Sequence, residues 1–84
     1  MTSLDQLPPQ LSGEQAPRGV ISALRLAARE AAWLRAIGLG EGVTVTVLRK
    51  APLGGPLHVR VSGGAELAVD RELARHVDVE VEKA

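Results

Sequence analysis

The 84-residue chain has no cysteine, no phenylalanine and no tyrosine, and its only aromatic residue is Trp33. Without thiols it forms no disulfides and offers no thiolate ligands to zinc or iron–sulfur centres. With one ring it lacks the stacking platforms on which small β barrels hold single-stranded nucleic acid. An excess of one charge is missing too: ten basic residues balance ten acidic ones, so nothing draws the whole molecule to phosphate backbones or anionic lipid. Arg18, Arg25, Arg29 and Arg35 amount at most to a local basic patch. No apolar run approaches membrane-spanning length, and Asp5, Pro8 and Pro9 interrupt the stretch where a signal peptide would need continuous apolar residues. A cytoplasmic protein is expected, with no nucleic-acid partner and no direct membrane insertion.

Catalytic motifs are equally scarce. Ser3, Ser12, Ser22 and Ser62 lie in no nucleophile elbow, and no glycine-rich loop runs into Lys-Ser or Lys-Thr. The stretch GLGEG opens into a strand, whereas a phosphate cradle needs a helix N-terminus aimed at the anion. The chain reads as a non-enzyme with no catalytic residue.

What it does have is aliphatic: hydrophobic residues make up 45% of the sequence, mostly Val, Leu, Ala and Ile. At this length they suffice for one domain, read over residues 1–84. Leu4 and Leu7 precede Pro8 and Pro9 in a short segment expected to cap the domain, and Ser12 to Pro17 is expected as loop. RGVISALRL predicts the first long strand. From Leu26 to Ile37 strong helix formers put Ala27, Ala31, Leu34 and Ile37 on one face, with Arg25, Arg29 and Ala36 opposite. Gly38 is placed to end that helix in the left-handed conformation.

Strict alternation follows. Val43, Val45 and Val47 share one side of a strand with Thr44 and Thr46 on the other; Leu57, Val59 and Val61 alternate with His58 and Arg60. Ser62, Gly63 and Gly64 form a turn into AELAV, with Leu67 and Val69 inward. Asp70 is set to cap one helical turn, DRELARH. Val77, Val79 and Val81 then alternate with His76, Asp78, Glu80 and Glu82, an apolar face backed by an acidic one. Five antiparallel strands with one α-helix after the first imply a mainly β fold: a small barrel, because closure satisfies sheet edges that so short a chain cannot cover.

Several stretches together resemble the FeoA family of small cytosolic SH3-like barrels associated with the FeoB ferrous-iron transporter. They are the Leu-x-x-Ile-Gly-Leu ending at Leu34 to Leu39, then Gly42, the alternating strand, and Ala51-Pro52-Leu53-Gly54 with Pro56. Glu72-Leu73-Ala74 and the closing valine strand complete the pattern, which is clearest from Leu34 to Glu80. The resemblance implies a non-catalytic accessory protein of iron homeostasis that docks on the cytosolic GTPase-containing part of a FeoB-type membrane transporter. Departures are specific. Gly55 stands where the family's corner commonly carries Asp, Trp33 where a basic residue is frequent, Arg35 where Leu is frequent, and Ala65 where a larger residue follows the turn glycine.

The corner Pro52-Leu53-Gly54-Gly55-Pro56 is the first candidate contact. Its prolines and glycines preorganise the chain around Leu53, so an apolar side chain docks with little loss of entropy, while Arg49 and Lys50 steer a polar partner. The alternative is that Leu53 folds back as a lid on the barrel end. Trp33 belongs either to the margin of the core or to a partner anchor, and a groove of Trp33, Leu34 and Leu53 is the expected docking surface. For metal, His76, Asp78 and Glu80 are weak candidates for Fe²⁺ or another divalent ion, since strand neighbours two apart stand about 7 Å from each other. Otherwise no cofactor is expected. Two alternatives accompany the transporter reading: a regulatory module related to the C-terminal barrel of iron-dependent repressors, and weak metal binding. Barrel edges also permit a homo-oligomer.

Overall fold

The computed structural model of the protein describes residues 2–10 and 17–82. The expected Ser12–Pro17 loop lies outside the described residues except for Pro17. Strand β1 (Thr2–Ser3) leads into a 3-10 turn, Leu4–Gln6, and β2 spans Arg18–Leu24. Helix α1 (Ala28–Ala36) is followed by β3 (Thr44–Lys50), β4 (Leu57–Val61) and β5 (Glu66–Val69). The short α2 (Arg71–Ala74) precedes β6 (Val77–Glu82).

All six strands form one antiparallel sheet in the order β1-β6-β2-β3-β4-β5. The sequence predicts five; the sixth, β1, is two residues long and shows no period of its own. It is defined only by its pairing, Thr2 with Val79 and Ser3 with Asp78. The sheet bends around a core of Leu4, Leu7, Ile21, Leu34, Leu39 and the alternating inner residues of β3, β4 and β6. Leu4 and Leu7 are fully buried, so the N-terminal segment does cap the core. Hydrogen bonding does not close the ring, because β1 and β5 remain the two ends of the sheet.

Two bulges aim the outer side chains. In β2 the pairing with β6 slips between Ile21 and Ala23, and in β3 the pairing with β4 slips between Val47 and Arg49. The second slip inserts Leu48, so Arg49 pairs with the outward His58 instead of continuing the buried series of Val45 and Val47.

Helix α1 starts two residues later than the sequence predicts and buries only Ala31 and Leu34; Ala27 is exposed and Ile37 half-buried. Its C-terminus fits expectation. Gly38 has φ of 102°, its N–H donates to the Arg35 carbonyl at 3.2 Å, and the Leu39 N–H donates to the Leu34 carbonyl at 2.8 Å. That pair of bonds is a Schellman ending, and it draws Leu39 into the core. Asp70 caps α2 as predicted, accepting from the Glu72 N–H at 2.8 Å.

The last strand departs from its pattern. Val77, Asp78 and Val79 are buried in succession, whereas Val81 is 49% exposed. Near its start β6 is flanked by both β1 and β2, whereas beyond Val79 it pairs with β2 alone. Among the described residues, no helix is long and apolar enough to cross a membrane.

Candidate functional site

Among the described residues, the β3–β4 connection carries the most exposed of the large hydrophobic side chains. Leu53 has a relative exposure of 103%, which excludes the lid alternative. The Gly55 N–H donates to the Pro52 carbonyl at 3.2 Å, and the two residues between have φ of 60° (Leu53) and 74° (Gly54). Two positive φ angles inside a four-residue turn define type I′. Leucine holds that left-handed conformation against a penalty of about 1–2 kcal/mol, because its Cβ crowds the following carbonyl. Strain at an exposed apolar residue persists only where the surroundings impose it.

Those surroundings are polar and specific. The Ala51 N–H donates to the Pro56 carbonyl at 3.0 Å, closing the base of the corner. From α2, Arg71 donates through Nε to the Gly55 carbonyl at 3.1 Å and through Nη2 to the Ala51 carbonyl at 3.0 Å. One guanidinium thus holds both sides of the loop. Gly55 is required by close approach: a Cβ there would lie 2.7 Å from the Ala51 Cβ and 3.2 Å from the Pro52 carbonyl oxygen. The aspartate that the family resemblance leads one to expect at this position does not fit the turn as it stands.

Depressions flank the corner, with Pro56 shared between them. One, of about 250 Å³, is lined by Arg49, Ala51, Pro56, Leu57, His58 and Ala68. The other, of about 380 Å³, is lined by Gly54, Gly55, Pro56, Asp70 and Arg71. Arg49 is exposed at the rim of the first, and His58 there approaches Glu66 Oε1 through Nε2 at 3.1 Å. Lys50 is placed differently from expectation. It pairs with the buried Leu57, and its Nζ donates to the Asp5 carbonyl at 2.8 Å, fastening the N-terminal turn to β3. Of these two cations beside the corner, Arg49 is the one left exposed to solvent.

Trp33 is 55% exposed on α1, outside the core, while its neighbour Leu34 is fully buried. The expected groove of Trp33, Leu34 and Leu53 therefore does not exist as an accessible surface, since Leu34 contributes nothing to it. Close by, Arg35 grips Glu41 with a two-pronged contact, Nε to Oε1 at 2.9 Å and Nη2 to Oε2 at 2.8 Å. The Arg35 hydrogen bond, aided by one from the backbone, holds the Glu41 carboxyl down at about 2.

The acidic strand face is also revised. Asp78 is 8% exposed and both its carboxylate oxygens lie 2.9 Å from Arg25 Nε, so this carboxylate is neutralised and not solvated. His76 precedes β6, and Glu80 lies on its exposed part. Among the described residues, no group of three His, Cys, Asp or Glu side chains is placed to hold a metal ion. Three of the four arginines of the expected basic patch are paired: Arg18 with Glu82, Arg25 with Asp78 and Arg35 with Glu41.

Comparison with known proteins places this arrangement. The family model of the FeoA domain matches residues 11–81. The crystal structure of an iron uptake regulatory protein, FeoA, is similar at 28% identity and a TM-score of 0.74, covering 96% of each chain. Stenotrophomonas maltophilia FeoA complexed with zinc is 30% identical, with a TM-score of 0.70, over 95% of this chain and 91% of that one. It is described as a prokaryotic SH3 domain protein, and a part as a bacterial ferrous iron transport activating factor has been suggested for it. A manganese-dependent transcriptional repressor shares the fold at 16% identity and a TM-score of 0.75, over 95% of this chain and 36% of its own. No curated protein sequence matches. The bent six-stranded sheet is an SH3-like fold.

Proposed function

The chain belongs to the FeoA family, and from that premise we propose that it is a non-catalytic accessory protein of ferrous iron transport, docking through the Leu53 corner on the cytosolic GTPase-containing part of a FeoB-type transporter. One observation carries the reading: a leucine wholly exposed, held in a strained turn, and clamped from beneath by Arg71. An apolar side chain so fixed loses little freedom on binding, which is how preorganised contacts gain affinity. Arg49 at the rim adds a charge that favours an acidic neighbour on the partner. The function suggested for the zinc-complexed relative, activation of ferrous iron transport, agrees with a protein that works by contact.

Likeness to the repressor concerns the fold alone and adds no DNA-reading function. Titration calorimetry of the protein against the transporter's cytosolic GTPase region tests the proposal. Leu53→Asp should lower the affinity at least about tenfold, as truncated anchor residues do, with the thermal transition retained. Equal affinity for a folded Leu53→Asp protein would exclude the corner as the contact.

A further inference from the structure

A second concave surface lies on the outer face of the sheet, near the β4–β5 turn. Its cavity, about 310 Å³, is lined by Arg18, Thr44, Thr46, Arg60, Ser62 and the turn glycines, with Glu82 at the border. Strand register explains the grouping. Arg60 pairs with Thr46 on one side and with Glu66 on the other, and Arg18 pairs with Glu82. The β2–β3 register, Gly19 with Val45, sets Arg18 at the level of Thr46. A row therefore crosses five strands in the order Glu82, Arg18, Thr46, Arg60, Glu66. Two guanidinium-bearing residues flank one hydroxyl, each about 4.8 Å from it along the hydrogen-bonding direction. Thr44 and Ser62 form the next row on the same face, the Ser62 N–H donating to the Thr44 carbonyl at 2.9 Å.

From this geometry we infer that the cavity is a binding site for a phosphate-bearing small molecule, with the phosphate oxygens over Thr46 between Arg18 and Arg60. Each arginine rests on a carboxylate at the outer end of the row, Arg18 on Glu82 at 3.5 Å and Arg60 on Glu66 at 3.2 Å. Both side chains are about half exposed, and exposed ion pairs of this kind contribute little stability. Turning the guanidinium groups inward gives up weak contacts and gains charge-assisted hydrogen bonds, which are strongest to planar forks such as arginine. The hydroxyls of Thr44, Thr46 and Ser62 supply further donors. Glu82 and Glu66 compete with the ligand, so the resting site is neutral and discriminates against weaker anions such as chloride.

The test is a set of amide-shift titrations with inorganic phosphate, adenosine monophosphate and glucose 6-phosphate. Saturable shifts are expected at Thr44, Thr46, Arg60 and Gly63, with affinity falling at least about tenfold in Arg18→Gln and in Arg60→Gln, the scale of a lost charge-assisted contact. Glu82→Gln should tighten binding, because it releases Arg18 from its rival. Tighter binding of either phosphate ester than of inorganic phosphate assigns the site to a phosphate carried on a larger molecule; equal binding of all three assigns it to free phosphate. Absence of saturable shifts with all three, or affinities unchanged in both arginine variants, overturns the inference.

Discussion

Arg71 and Gly55 lie 16 residues apart, and the Arg71 Nε donates to the Gly55 carbonyl at 3.1 Å. Through this bond the short helix α2 determines the shape of the β3–β4 corner. Arg71→Ala removes that bond and the one to Ala51, leaving two loop carbonyls to water. Stability should fall by about 1–2 kcal/mol, the low end for hydrogen bonds to a charged group because the site is only partly buried. Urea titration measures the loss, and amide exchange at Gly54 and Gly55 should accelerate while β4 stays protected. Unchanged exchange in the corner would mean that the turn holds its shape without the clamp.

Trp33 and Leu34 are adjacent in sequence and opposite in environment, 55% and 0% exposed. Leu34→Ala should destabilise by about 2–5 kcal/mol, the range for emptying a leucine site in a packed core. Trp33→Ala should stay within about 0.5 kcal/mol, as surface substitutions do. Chemical denaturation of the two variants makes the comparison. A large loss in Trp33→Ala would place the ring in the core.

The Arg35–Glu41 contact carries a pH signature. Its carboxyl is held at about 2 against an ordinary 4.5, so the folded state keeps it ionised when the unfolded chain would take up a proton. The resulting stabilisation is complete above 4.5, shrinks as the pH drops below that value, and vanishes once the pH passes about 2. Denaturant midpoints of the parent and Glu41→Gln proteins, compared between neutral and acid pH, should converge on acidification and keep a constant gap from mildly acid to neutral solution. A gap that persists in strong acid would assign the difference to something other than this charge.

How far the fold was readable depended on the range over which each feature is determined. Alternating valines in β3 and β4, the Schellman ending at Gly38 and the Asp70 cap are set by neighbours within a few residues, and the structure keeps all of them. The corner was legible as well, because Pro52, Gly54, Gly55 and Pro56 limit the backbone locally. Features made by distant partners were not. Asp78 reads as part of a wet acidic face until Arg25, 53 residues away, covers it. Lys50 reads as a steering charge until the Asp5 carbonyl, 45 residues away, takes its ammonium. Trp33 carries no periodic mark that separates core margin from surface, and β1 is too short to have a pattern. The outer row of Arg18, Thr46 and Arg60 exists only once three strands are in register.

The extra residue in β3 has a further consequence. Were Leu48 to pair opposite His58 in place of bulging, the phase of everything beyond it would reverse: Arg49 would turn toward the oily interior and Lys50 away from its anchor. The segment leading to the corner thus owes its orientation to one surplus position, and the rival register that lacks it is opposed by the cost of sinking a guanidinium into hydrocarbon.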